Sequence, residues 1–216
     1  VVIYLITKDF NKNKKYGLAL IFGSLAIGIF GNFQKTKYEN SDKNIEVAII
    51  QPNLDPNEKW NFNKRKETIA FMDSLLQEAI NLDPDLILLP ETAYPTYLVK
   101  NKSIRKRIQL KVDSSKVPIL IGTVHSVIQS TGEKNYFNSS ILLSPDNDFI
   151  LYNKIHLVPF AEYIPLSWKF PILKNLNFGQ GNFKKGNDYT VFNVDNYKFS
   201  NLICYESSIP QPVRRF

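Results

Sequence analysis

The sequence predicts a mixed α/β domain, a sheet covered by helices, preceded by one membrane-spanning helix. Three observations predict it. Residues 16–34 form an apolar stretch without a single charged side chain, close to the ~20 residues needed to cross a hydrocarbon core. From residue 45 to about residue 123, short apolar runs alternate with amphipathic stretches, the pattern of strands feeding helices. Beyond that, apolar runs come in pairs around turn residues, as in hairpins.

The N-terminal part divides at its charges. Residues 1–6 are apolar, and Lys8, Lys12, Lys14 and Lys15 come next with Asp9 as the only acid. Residues 1–15 thus read as the end of a preceding membrane segment and a basic cytoplasmic loop. A buried core helix or a signal peptide would also supply an apolar run. The first is normally shorter than 16–34, and the second starts at a Met and ends in a small-residue cleavage site. The membrane helix fits best, and the basic loop before it orients the C-terminal domain outward. Lys35, Lys37 and Lys43 on the far side weaken that asymmetry. Residues 35–44 are a polar linker, and residues 45–216 the α/β domain.

In that domain residues 45–51 read as a buried strand ended by Pro52, and residues 53–61 as a loop holding Trp60. Residues 64–80 read as a helix with Ile69, Met72, Leu76 and Ala79 on one face. A strand over 85–89 runs directly into Pro90 and Glu91. Residues 100–111 form a basic helix whose charges read as a solvated face. Strands are expected over 117–123, 136–143 and 149–152, the last two joined by a turn at residues 145–148. A later hairpin pairs 190–194 with 198–204 across Asp195 and Asn196.

Composition narrows the function classes. Of 216 residues, 44% are hydrophobic and 13% aromatic, which argues against disorder. The net charge of +7 is compatible with anionic lipid or nucleic acid and selects neither. A single cysteine excludes an intrachain disulfide, and His125 and His156 have no ligand spacing, so no metal is expected. There is no Gly-x-Ser-x-Gly elbow and no phosphate-binding loop; Gly179 and Gly181 lack a third glycine at the required spacing.

The chemistry-bearing candidates lie at strand ends. Cys204 comes after the apolar Phe199, Leu202 and Ile203 and precedes Glu206. A lone cysteine there is either a small buried hydrophobe or a nucleophile. A nucleophile needs a base and a cation, because a free thiol with a pKa of about 8.5 is mostly protonated at neutral pH. Glu91, at the edge of the core after the strand at 85–89, is a candidate base, or a cap or loop carboxylate. Lys154 is a candidate cation, or a surface lysine after a hairpin. Glu162, flanked by Phe160, Tyr163 and Ile164, needs a partner to be buried at all.

The order Glu91, Lys154, Cys204 resembles the nitrilase superfamily, whose catalytic set is Glu, Lys and Cys on an α-β-β-α sandwich. The segments Ala48-Ile-Ile-Gln-Pro52, Leu89-Pro-Glu-Thr92, Tyr152-Asn-Lys-Ile-His-Leu-Val-Pro-Phe-Ala-Glu-Tyr-Ile-Pro165 and Ile203-Cys-Tyr-Glu-Ser207 are closest to its apolipoprotein N-acyltransferase branch. Ala161 stands where that family often has Gly, and Leu89 where Trp is common. The resemblance covers most of residues 45–216. It implies further membrane helices before Val1, and further strands and a final membrane helix after Phe216. The sandwich is therefore expected to be C-terminally incomplete, and the segment by itself inactive.

The resemblance also implies roles. Glu91 takes the thiol proton, Lys154 stabilises thiolate and oxyanion, and the Tyr205 N–H adds a second donor. Glu162, Glu206 and Tyr205 support the site, and Trp60 contacts substrate. A phospholipid gives an acyl chain to Cys204 as a thioester, and the N-terminal diacylglyceryl-cysteine of an apolipoprotein accepts it. The protein would sit in a bacterial inner membrane with its domain on the periplasmic side, with no cofactor, metal or nucleic acid. The alternatives are an amidase hydrolysing a small carbon–nitrogen bond and a non-catalytic membrane-anchored module. Glu91, Lys154 and Cys204 are expected to converge in one pocket. The proline-punctuated loop 154–173, with Leu157, Val158, Phe160, Tyr163, Ile164, Leu166, Trp168, Phe170, Ile172 and Leu173, is expected to face lipid in part.

Overall fold

A computed structural model of the chain describes residues 14–39, 44–55, 60–167, 169 and 182–215. It divides into two compact units, Val1–Asn44 and Ile45–Phe216. The first contains helix α1 (Lys14–Glu39). Its stretch Tyr16–Lys35 is 20 residues long, apolar enough to cross a membrane, and has no buried residue. Leu18, Ile21, Phe22, Leu25, Ile29 and Phe30 are all exposed. At 1.5 Å rise per residue this stretch is about 30 Å long.

The second unit is a layered α/β fold. In chain order it contains β1 (Val47–Ile49), α2 (Arg65–Ile80), β2 (Leu86–Leu89), α3 (Lys102–Ser115), β3 (Ile119–Ile128), β4 (Lys134–Leu143) and β5 (Ile150–Asn153). Then come β6 (Phe192–Val194), β7 (Tyr197–Phe199), a 3-10 turn (Cys204–Ser208) and α4 (Pro210–Val213). β1 to β5 form one sheet in sequence order. β1, β2 and β3 are parallel, joined by α2 and α3; β3, β4 and β5 are antiparallel. β6 and β7 make a separate two-stranded sheet.

Alternation along the strands sorts side chains to two cores. Ile87, Leu89, Ile119, Ile121, Ile141 and Leu143 pack under the helices with Met72, Leu76, Ile108 and Val112. Leu86, Leu120, Leu142 and Tyr152 face the other way, onto Phe192, Val194 and Ile203. Because both faces are covered, these strands read as unbroken apolar runs. Among the described residues the layers are helix, large sheet and small sheet.

Several boundaries differ from expectation. β3 and β4 extend to residue 128 and back to residue 134, since their hairpin closes around Gly132 at φ 83°. β1 is only three residues long. Helix α3 starts two residues late because the Asn101 side chain caps it, accepting from the Ile104 N–H at 3.2 Å. It ends where Lys116 turns left-handed at φ 62°. Its basic face is not merely solvated: Arg105 donates to the Leu98 carbonyl at 2.8 Å and lies over Phe149, and Arg107 pairs with Asp73 at 2.7 Å. The strand expected through Cys204 stops at Phe199. Residues 200–203 leave the small sheet so that Ile203 enters the core between the two sheets.

Candidate active site

β2, β3 and β5 run in the same direction, so Glu91 after β2 and Lys154 after β5 emerge at the same end of the sheet. Glu91 is brought against β3 by Gly122. A Cβ on Gly122 would lie 2.5 Å from the Pro90 carbonyl oxygen and 2.6 Å from Glu91 Cα. The Ala93 N–H then closes the turn on the Gly122 carbonyl at 3.0 Å.

Lys154 lies two positions beyond Tyr152, directly after β5. Its side chain is fully buried, which overturns the surface-lysine reading. Its ammonium donates to Glu162 Oε1 at 2.9 Å and pairs with Oε2 at the same distance. Glu162 also accepts from the Val158 N–H at 2.9 Å. Burial pushes the Glu162 carboxyl up, but the hydrogen bonds from Lys154, Val158 and Asn138 and the Lys154 charge outweigh it. Glu162 is therefore held below the usual carboxylate range. Gly186 closes over this corner, its N–H on the Lys154 carbonyl at 2.8 Å.

The link between the two carboxylates is Asn138, which belongs to none of the motifs legible in the sequence. Its Nδ2 donates to Glu91 Oε1 at 2.7 Å and to Glu162 Oε1 at 2.9 Å. A signal was present: Asn138, Ser139 and Ser140 are three successive polar residues directly before the apolar residues 141–143 that end the strand, and all three are buried.

Cys204 opens the 3-10 turn with φ 52°, a left-handed conformation that costs a side-chain-bearing residue energy. It is exposed rather than a buried hydrophobe. Glu206, fully buried, holds the turn. Its Oε1 accepts from the Tyr152 hydroxyl at 2.8 Å and from the Ile155 and His156 N–H groups at 2.9 and 3.0 Å. Its Oε2 accepts from the Ile203 N–H at 2.9 Å. Burial, then the hydrogen bond to Glu206 and its charge, push the Tyr152 hydroxyl far above the usual tyrosine range, so it remains a donor. Glu206 thereby ties the cysteine turn to the segment that carries Lys154.

Glu91 and Cys204 line one cavity of about 180 Å³, together with Leu88, Leu120, Gly122 and Asn201. Of the three residues expected to converge in one pocket, Lys154 is not among those lining this cavity; it is linked to Glu91 through Glu162 and Asn138. Tyr205 is exposed. Trp60 is also exposed and lies 6.5 Å from Tyr97, whose ring is 6.2 Å from Tyr136. In the apolar loop Leu157 and Ile164 are buried, whereas Phe160 and Leu166 are exposed and left-handed. Trp168, Phe170, Ile172 and Leu173 lie outside the described residues.

The fold class is that of the carbon–nitrogen hydrolases, of nitrilase type. A carbon–nitrogen hydrolase from Helicobacter pylori G27 superposes with a TM-score of 0.54 over 80% of this chain and 55% of its own, at 15% identity. A mutant amidase from Nesterenkonia sp. AN1, with acrylamide added at its active-site cysteine, gives 0.52 over 79% and 61%, at 14% identity. Residues 46–215 match the carbon–nitrogen hydrolase family model, and the chain belongs to that family. Curated relatives named apolipoprotein N-acyltransferase share 32% identity over 85% of this chain in Chlorobaculum tepidum, 31% over 92% in Geobacter metallireducens and 32% over 96% in Aquifex aeolicus. The chain spans 39%, 38% and 45% of their respective lengths.

Proposed function

We propose that the protein is a membrane N-acyltransferase of lipoprotein maturation. It moves a fatty acyl chain from a phospholipid, through a thioester on Cys204, to the α-amino group of an apolipoprotein's N-terminal diacylglyceryl-cysteine. The relatives' names support the class. Against a soluble amidase with the same residues, one observation carries the reading: Tyr16–Lys35 is long and apolar enough to span a bilayer and has no buried residue. An amidase acting on small soluble amides has no use for such a helix. The basic residues preceding it support a catalytic unit on the outer face of the cytoplasmic membrane.

In this reading Glu91 takes the Sγ–H proton, and the thiolate attacks the phospholipid ester carbonyl. The Lys154 ammonium and the Tyr205 N–H stabilise the oxyanion. The C–O bond breaks, and Glu91 returns the proton to the departing alkoxide, leaving a lysophospholipid and the thioester. The neutral α-amine, with a reference pKa near 8, then attacks. A C–N bond forms, the C–S bond breaks, and the amine proton passes through Glu91 back to sulfur. Glu162 holds Lys154, Glu206 holds the cysteine turn, and Trp60 and Tyr205 line the approach. Exposed Phe160 and Leu166 form the part of the loop that meets the acyl chain and keeps bulk water from the thioester.

The test uses full-length wild type and Cys204→Ser with acyl-labelled phosphatidylethanolamine vesicles. Hydroxylamine-sensitive label is expected on the wild type alone, because a hydroxyl is a far weaker nucleophile than a thiolate. Label on the serine variant would identify another nucleophile. An unlabelled wild type that releases ammonia from small amides would favour the amidase.

A further inference from the structure

We propose that Asn138 is a positioning residue: its amide N–H groups hold Glu91 and Glu162 together and aim Glu91 into the cavity it shares with Cys204. The inference rests on Glu91 being the base. An amide nitrogen carries two hydrogens, and both are used here, on Glu91 Oε1 at 2.7 Å and Glu162 Oε1 at 2.9 Å. Two carboxylates on one amide nitrogen repel each other. The amide answers that repulsion with the positive end of a dipole and adds no charge of its own. The Lys154 ammonium lies on both oxygens of Glu162. Asn138 thus connects the Lys154–Glu162 pair to Glu91.

Asn138 is well placed to be rigid. It is 3% exposed, lies inside β4, and its carbonyl accepts the Lys154 N–H at 2.8 Å. Its amide can be oriented only one way, because a carbonyl oxygen turned toward two carboxylates would repel both. That orientation leaves Asn138 Oδ1 buried with no protein hydrogen-bond partner among the described residues. An asparagine serving the sheet alone would satisfy both ends of its amide. Here the amide serves the carboxylates at the expense of its own oxygen.

The charged groups around Asn138 are Glu91 from the turn after β2, Lys154 after β5 and Glu162 from the loop beyond it. Cys204 lies across the cavity, and Lys134 and Lys185 lie farther out, over Tyr136 and Tyr163. In Asn138→Asp the side chain keeps its shape but places a third carboxylate between the other two. Like charges make such a cluster hold its protons to higher pH. The base must be ionised to take the thiol proton. The acid limb of Cys204 acylation against pH should therefore move up by about one unit or more.

The experiment measures the rate of Cys204 acylation between pH 5 and pH 9 in the full-length protein, with labelled phosphatidylethanolamine vesicles, normalised to the folded fraction read by circular dichroism at each pH. Wild type, Asn138→Asp, Asn138→Ala and Glu91→Gln are compared. The proposal expects the upward shift in Asn138→Asp and a roughly hundredfold slower plateau in Asn138→Ala, where Glu91 loses its aim. A purely structural Asn138 would lower the melting temperature of both variants and leave the acid limb in place. If Glu91→Gln abolishes acylation while Asn138→Asp keeps the wild-type profile, the proposal is overturned and the role of Glu91 stands. If Glu91→Gln acylates normally, the base assignment fails and the proposal fails with it.

Discussion

At the residue scale, the site contains buried charge, and each charge has a partner. Lys154 would be costly to bury alone; with Glu162 on its ammonium it is fully enclosed. Glu162 is held below its ordinary value of 4.5. A carboxyl depressed by folding adds stability that is present above its unfolded value and lost as pH falls through its native value. Glu162→Gln should therefore cost about 3 kcal/mol near neutral pH, the loss expected on breaking a buried ion pair. The gap to wild type should hold steady down to about pH 5 and close below about pH 4.5. Thermal unfolding of the full-length pair across that range measures it. A gap that stays constant into acid would assign the stabilisation to packing rather than charge.

At the element scale, two strand ends and one turn are drawn together by contacts that leave no slack. β2 delivers Glu91 because β3 carries glycine at residue 122, where the backbone of residues 90 and 91 crosses it at 2.5–2.6 Å from any Cβ. Both close atoms are backbone, so nothing can rotate away. Gly122→Ala should destabilise by about 1–3 kcal/mol through overpacking. It should also slow Cys204 acylation, because the Glu91 turn must shift. Denaturant unfolding and the vesicle assay read the two effects. Unchanged stability would mean that residues 90–92 move aside freely. The 3-10 turn is held in the same manner: one carboxylate, Glu206, receives three backbone N–H groups and a tyrosine hydroxyl.

At the scale of the whole molecule, an apolar helix and a carbon–nitrogen hydrolase unit occur in one chain. The apolar side chains of α1 are exposed in the protein itself, and lipid is the solvent that suits them. An arginine at a helix centre costs about 2.5–3.5 kcal/mol of insertion free energy. The double variant Leu20→Arg and Ile27→Arg should therefore weaken retention of the helix in the bilayer. Protease accessibility of a reporter on either side of α1, in membranes from cells making the full-length protein, checks this. An unchanged pattern would show that α1 is not what spans.

Much of this was legible in the sequence because its causes are local. The run at 16–34 marks a helix long and apolar enough to cross a bilayer, since hydropathy over about 20 residues needs no tertiary partner. The spacing of Met72, Leu76 and Ala79 marks the buried face of α2, as 3.6-residue periodicity does anywhere. Glu91, Lys154 and Cys204 could be picked out because each sits just past an apolar run. What the tertiary structure alone decided is how those ends meet. That Lys154 is buried depends on Glu162 and Asn138 lying across it, contacts between separate segments that no local pattern encodes. Asn138 read as an unremarkable strand residue, and its role arises only when β4 lies between β3 and β5. Cys204 looked like a strand end, yet Ile203 pulls the chain off the small sheet into the core and Glu206 fixes the turn. Hydropathy and periodicity act along the chain; charge pairing and close backbone approach act across it, and exist only once the sheet has formed.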